Sequence, residues 1–311
     1  MKKLFFMLFL LAALTAAAQV KYDIDPVPAG MVIAGKTLYM TSGKDVIALD
    51  ISNPEDPVIK SRATIGNFPQ SLALSKDGKT LYAADAVRVV MLDLQLKQKG
   101  IKTVPGSPVD VAVLPDGKVA VAARKGGVVM LENGAVRIKS PWARSLYVQE
   151  NGKLAVCSID SVDFEGDAPI RINCGTPRRI RRLSDGTYCL ANGFNGFAIL
   201  PSDTKSTNPV QPLFQTKDLN RFSCYGAHVY DVLELKEKTL LLAAGEIGII
   251  TVTDRNLSND CIPLRWGHVN GFIRGAGTLL YVSDTVRGLH IMDVSVPTDL
   301  KILKTLKLIE K

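Results

Sequence analysis

Four ten-residue segments that end in Asp-Gly or Asn-Gly constrain the fold of this chain more than any other feature. They are "PQSLALSKDG" (69–78), "PVDVAVLPDG" (108–117), "ARSLYVQENG" (143–152) and "PRRIRRLSDG" (177–186). Each opens with Pro or Ala and has an aliphatic residue at its fourth position. A strand that runs into such a dipeptide is expected to turn back on itself. The expected turn is type I′, which needs positive φ at both central residues.

A second strand follows each turn: "TLYAAD", "VAVAAR", "LAVCS" and "TYCLAN". The same strand recurs as "TLYMTS" (37–42), "TLLLAA" (239–244) and "LLYVSD" (279–284), giving seven copies at intervals of about forty residues. A third strand follows in most copies, as in "VIALD", "VVMLD", "VVMLE", "GFAIL", "GIITV" and "LHIMD". A more polar fourth closes them, as in "VIKSRATI", "GIKTV", "AVRIKS" and "KILKTLKL". Helical periodicity is almost absent. The expectation is an all-β fold, a seven-bladed β-propeller of four-stranded antiparallel blades. A two-domain sandwich would not repeat one meander seven times. The alanines of "YAAD", "VAVAA" and "LLLAAG" suit strands that crowd toward a propeller axis. The segment "QVKYDID" (19–25) alternates like a strand and could close the ring beside "KILKTLKL".

One phrase stands near both ends of the chain. "DVIALDISNPEDP" (45–57) and "GLHIMDVSVPTD" (288–299) both run from apolar residues into Asp-x-Ser-x-Pro. These stretches resemble the LVIVD-repeat family and, more loosely, the YVTN-type bacterial surface propellers. The resemblance implies an exported propeller, usually without an assigned activity. Blades 4 to 6 lack the phrase.

The first 18 residues read as a secretory signal: a basic "MKK", an apolar "LFFMLFLLAAL", and small residues up to Ala16-x-Ala18. The expected product is a single propeller domain over 19–311 in the periplasm or at the cell surface. No later segment is long and apolar enough to span a bilayer as a helix. The chain carries a net charge of +8, two units of which, Lys2 and Lys3, lie in the leader. What remains is modest and unmassed, which argues against a nucleic-acid binder. The five cysteines (Cys157, Cys174, Cys189, Cys224, Cys261) have wide spacings, no CxxC and no His at a ligand spacing. They read as small buried residues, although export would permit one pair to oxidise. No metal site and no cofactor is expected.

Loops between second and third strands, and the lead-ins to the inner strands, share one face, here called the top. On it the sequence places Arg144, Arg178 and Arg179, then His228, Tyr230 and Asp231, then Trp266 and His268. These are the candidate ligand-binding residues. Arginine forks suit carboxylate or phosphate, and tryptophan offers a stacking face. The stretch "SIDSVDFEGDAP" (158–169) reads as a long acidic top loop with Asp160, Asp163, Glu165 and Asp167. A purely structural Arg–carboxylate network is the competing expectation. His290, in "GLHIMDV", reads as a satisfied packing residue. Asp85, Asp284 and Asn192 read as turn-holding residues.

No GxSxG, HExxH, phosphate loop or Rossmann pattern occurs. The leading expectation is a non-enzymatic binding scaffold that presents its top face to a protein, peptide or glycan partner in the cell envelope. A lactonase-like hydrolase or lyase at the channel mouth is one alternative, and a structural component of an envelope assembly is another. Exposed aromatics such as Phe164, Phe194, Phe222 and Trp266 would mark the first. A His beside a carboxylate would mark the second.

Overall fold

The computed structural model describes residues 30–172, 175–202, 214–215, 228–236, 238–253, 256–262 and 267–308. They form seven four-stranded antiparallel sheets, each built from four consecutive strands. The blades span 31–64, 71–102, 110–138, 145–171, 179–215, 231–262 and 269–306. The inner strands are Met31–Ala34, Ser71–Leu74, Asp110–Val113, Ser145–Val148, Arg179–Arg182, Asp231–Lys236 and Val269–Arg274. Each touches the next, and the last touches the first, so the ring closes. The segment 19–25 and the leader lie outside the described residues.

The turns between inner and second strands differ from the type I′ expectation. The glycines have positive φ (Gly78 70°, Gly117 88°, Gly152 78°, Gly186 85°), whereas the residues before them do not. Each glycine N–H instead bonds back three residues, as Gly78 N does to Ser75 O at 2.9 Å. This is a type I turn followed by a glycine in the left-handed region; blades 3 to 5 make it the three-residue hairpin with a bulge, Leu114 N reaching Lys118 O at 2.8 Å, and blade 2 has one residue more, Ser75 N reaching Thr80 O at 2.8 Å. The acid is selected for a different reason from the one expected. Its carboxylate or amide oxygen accepts the N–H two residues on, as in Asp77 to Lys79 (3.1 Å), Asp116 to Lys118 (3.0 Å), Asn151 to Lys153 (2.9 Å) and Asp185 to Thr187 (2.9 Å).

The Asp-x-Ser-x-Pro phrase is also a turn. Asp50 Oδ1 accepts Ser52 N (2.8 Å), and Asp293 Oδ1 accepts Ser295 N (3.0 Å). It lies on the bottom face, at the exit of the third strand.

Burial follows the seams. The described residues form seven apolar clusters, and each lies between two adjacent blades rather than at a common centre. Second strands carry the small residues: Ala83, Ala120, Ala122, Ala155, Ala191 and Ala243 are fully buried. The seam between blades 7 and 1 packs Leu38, Met40 and Leu49 against Tyr281, Leu289 and Leu308. Across it Tyr281 donates to Pro54 O at 3.0 Å, Arg62 donates to Leu308 O, and Lys304 pairs with Asp56.

Blade 4 corrects the sequence reading. Ser161–Phe164 is its third strand, so 158–169 is not one acidic loop. Asp160 alone stays on the top turn, where Arg171 holds it at 3.0 Å. Asp163 is buried in the strand and accepts Ser140 Oγ from blade 3 and Ser161 Oγ. Glu165 belongs to the bottom turn and pairs with Arg137 of blade 3 at 2.9 Å.

The loop from blade 2 to blade 3 packs its backbone closely on the top turn of blade 3 at Gly106. Its φ is +92°, and a Cβ there would lie 2.3 Å from Ala123 O. Gly35, at φ +57° in the first hairpin, has open space around it. Gly106→Ala is therefore expected to cost about 2–3 kcal/mol, against about 1 kcal/mol for Gly35→Ala. Thermal unfolding of the two variants checks the ordering, and equal losses would contradict it.

Candidate functional site

One bridge recurs where a blade is entered from above. Backbone pairs join Arg124 with Ala143, Gly193 with Val229, and Gly245 with Val269. In each pair the lead-in to an inner strand lies against the top turn of the preceding blade. The residue just before each bridge is a ring: Trp142, His228 or His268. The residue just after it heads the inner strand: Arg144, Tyr230 or Asn270. Blade 5 fits the register through Arg178, whose N–H bonds Ala191 O (2.8 Å) as that of Tyr230 bonds Ala243 O (2.9 Å).

This register brings four of the candidate residues together. Phe194, on the top turn of blade 5, stands 3.9 Å from the ring centre of His228. His228 stacks on Tyr230 at 4.7 Å and 14°. Tyr230 meets His268 at 5.0 Å and 53°. Arg178 closes the group. Its Nη2 lies 3.0 Å from His228 Nε2, and its guanidinium lies over Tyr230 at 5.8 Å. A guanidinium can only donate. His228 Nε2 therefore accepts, and the ring proton sits on Nδ1.

The stack runs from blade 5 to blade 7 and is most buried at Tyr230. Phe194 is 65% exposed, whereas Tyr230 and Arg178 are buried. At the blade 7 end His268 is half-buried, and its Nε2 has no hydrogen-bond partner among the described residues. Burial lowers the His268 pKa below the usual histidine value, and the nearby charges of Glu246 and Asp284 oppose that only in part. The ring is thus neutral at pH 7, with an unengaged nitrogen at the blade 7 end of the stack.

The remaining candidates are placed differently. Asp231 is fully buried just below the stack, and its carboxylate is occupied. Arg181 Nη2 lies 3.0 Å from it and Arg179 Nη1 3.8 Å. It also accepts Val232 N (2.9 Å) and Phe272 N (3.2 Å). Arg179 is thereby tied to Asp231. Arg144 heads blade 4 in the register of Arg178 and Tyr230, with its N–H on Cys157 O at 2.8 Å. Trp266 lies outside the described residues, as do Phe222, Cys174 and Cys224. Phe164 is buried and offers nothing to a ligand.

Sequence reasoning missed Trp142. Its ring lies under two cations, Arg124 at 5.6 Å and Lys125 at 5.3 Å, on the top of blades 3 and 4. Its place two residues before Arg144, as His228 stands before Tyr230, was the available signal.

Of the three residues read as turn-holding, Asp85 and Asp284 act so. Asp85 Oδ1 accepts the N–H groups of Val87 (3.1 Å) and Arg88 (2.8 Å). Asp284 Oδ1 accepts His268 N, Val286 N and Arg287 N at 2.8–2.9 Å, so it also fixes the backbone beneath His268. His290 is fully buried between Thr305 Oγ1 (2.8 Å) and Asp284 Oδ2 (3.2 Å). Cys157 and Cys189 are buried free thiols, and burial pushes the Cys157 pKa up to about 12. No trio of His, Cys, Asp or Glu among the described residues is arranged for a metal ion.

Residues 30–64 and 276–305 match the LVIVD repeat, which places that repeat in the first and last blades. No curated protein matches the chain. Among solved structures, a streptogramin B lyase superposes with a TM-score of 0.67 at 13% identity, over 89% of this chain and 94% of that one. Virginiamycin B lyase from Staphylococcus aureus gives 0.65 at 12% identity, over 86% and 94%. At these identities the likeness is one of fold, and it carries no residue roles across.

Proposed function

We propose that this propeller is an exported binding module. Its top face over blades 5 to 7 holds a protein, peptide or glycan partner in the cell envelope. The observation that carries the reading is the stack Phe194–His228–Tyr230–His268, open at its Phe194 end and backed by a buried arginine. The exposed Phe194 ring at the open end suits a sugar ring or an aromatic side chain, and a rigid aromatic anchor costs little entropy to order.

A hydrolase or lyase would need a general acid–base pair. The two nitrogen-bearing rings are poorly placed for that role. His228 Nε2 takes an N–H from Arg178, so its lone pair is already engaged. Asp284, which acts electrostatically on His268, is committed to three backbone N–H groups and His290. The arrangement favours recognition over turnover.

Affinity capture from the native envelope, with residues 19–311 as bait, tests the reading. Phe194→Ala and His228→Ala should each cut the captured partner by about tenfold, equivalent to about 1.4 kcal/mol. Asp50→Ala, in a bottom turn, should leave it unchanged. Undiminished capture by both top-face variants would overturn the proposal.

A further inference from the structure

Where a lead-in crosses a top turn, the turn presents a residue in the left-handed region. At the bridges of blades 5 and 6 that residue is glycine, Gly193 and Gly245, both at φ +57°. Blade 2 uses alanine: Ala86, whose N–H bonds Pro108 O at 2.8 Å, has φ +67°. Blade 3 uses arginine. Arg124 holds φ +45°, and Trp142, which directly precedes its bridge partner Ala143, holds φ +61°. Large side chains are disfavoured in this region, and such residues persist only where their surroundings fix them. A guanidinium kept where glycine is easier needs a reason outside the backbone.

The surroundings do fix it. Arg124 and Ala143 exchange two backbone bonds, at 3.1 and 3.0 Å. Ser140 donates to the buried Asp163 and Ser158 donates to Pro141 O, so the lead-in that carries Trp142 is tied to blade 4. On this rigid base every unengaged polar group is a donor. The Arg124 guanidinium, the Lys125 ammonium and backbone N–H, and the Trp142 indole N–H make no hydrogen bond or ion pair among the described residues. The two cations share one ring, at 5.6 and 5.3 Å, which steadies them but brings no full counter-charge. The acids of the neighbouring top turns are taken, Asp85 by Arg88 at 3.1 Å and Asp160 by Arg171 at 3.0 Å.

From this donor-only platform we infer that the top of blades 3 and 4 binds a tetrahedral oxyanion, the phosphate or sulfate group of a small ligand. A set that can only donate suits a group that only accepts. Two cations match a doubly charged group better than a carboxylate, which brings one charge and two oxygens. A phosphate ester brings close to two charges and three acceptor oxygens. The arginine fork can take two of these and leave the third to lysine. The site uses other blades than the ring stack, so the inference goes beyond the partner site over blades 5 to 7 and does not depend on it.

The test is the melting temperature of residues 19–311 in millimolar inorganic phosphate, sulfate or methyl phosphate, against acetate at equal ionic strength. A ligand held only by the folded chain, at ten times its Kd, raises the melting temperature of a protein this size by about 3–6 °C. Phosphate and sulfate should each give such a saturating rise, and acetate should not. An equal rise with methyl phosphate assigns the site to an esterified group, and none with methyl phosphate assigns it to the free ion. Lys125→Gln and Arg124→Gly should each weaken the apparent affinity about tenfold. Without ligand, Arg124→Gly should melt no lower than the parent, because glycine releases the backbone strain. Lys44→Gln, at the tip of blade 1, should change nothing. Partner capture through Phe194 and His228 should survive all three variants, so the two readings stand or fall separately. Equal rises with phosphate and acetate, or an undiminished rise in Arg124→Gly, overturn the inference. So does an Arg124→Gly protein that melts several degrees lower without ligand, which would assign Arg124 to packing on Trp142.

Discussion

Asp231→Ala should lower the unfolding temperature by roughly 10 °C. The residue is fully buried and joins three blades. Its carboxylate takes Arg181 Nε and Nη2 at 3.0–3.1 Å from blade 5, Val232 N within blade 6 and Phe272 N from blade 7. Removing it leaves the guanidiniums of Arg181 and Arg179 without this counter-charge and two buried N–H groups without acceptors. Breaking one side of such a pair costs about 3–5 kcal/mol, and a protein of this size loses about 2–4 °C per kcal/mol. The double variant Asp231→Ala/Arg181→Met should recover part of the loss, because Arg181, the nearer of the two charges left behind, is then gone. Asp110 offers an internal comparison. It also heads an inner strand, accepting Ser71 Oγ, Val111 N (2.9 Å) and, from the next blade, Leu146 N (2.8 Å). All its hydrogen-bond partners are neutral, so Asp110→Ala should cost less. Thermal melts of the four proteins decide the matter. A shift for Asp231→Ala of only a degree or two would mean that the clamp acts as an exposed ion pair does.

The second large effect is acid instability centred on Asp284. Burial works to raise its pKa, but the bond from His290 and the N–H groups of His268, Arg287 and Val286 outweigh burial and bring it down to about 2. The folded value lies below the unfolded one of 3.8. The group therefore stabilises the fold above the unfolded pKa, and that contribution is lost as pH falls through about 2. The amount is about 2–3 kcal/mol. Denaturant midpoints of the parent and Asp284→Asn, followed from pH 6 downward, isolate it. The difference between them should be widest above about pH 4.5 and narrow steadily toward pH 2. A difference independent of pH would refute the assignment.

The blades were legible because their signals are local. A glycine at positive φ and an Asx oxygen two residues from its acceptor need nothing beyond the hairpin itself. The turn type was misread all the same, since Asp-Gly serves two hairpin geometries and only the backbone separates them. The third strand of blade 4 was illegible for a different reason. Ser161 and Asp163 make "SVDF" look like loop, and the group that lets Asp163 be buried, Ser140, belongs to the neighbouring blade. Register along the repeat also located the candidate site, because residues that head inner strands must share a face. The pairing among them was beyond reach. "RRIRR" offers four arginines, and nothing in the string says that Arg181 goes to Asp231 while Arg178 goes to His228. Those choices depend on which side of the inner strand faces the next blade.

Among the described residues, no strand is shared between blades. The seam between blades 7 and 1 is held by an apolar cluster and side-chain bonds, whereas those between blades 3 and 4, 5 and 6, and 6 and 7 also carry a backbone bridge. The order of blades along the polypeptide and their order in space are thus separable properties. Joining residue 308 to residue 30 and cutting the loop between any other two blades would keep the four consecutive strands of each described sheet together. The chain is in this sense a circular text, in which the starting point is a convention and the seams are the punctuation.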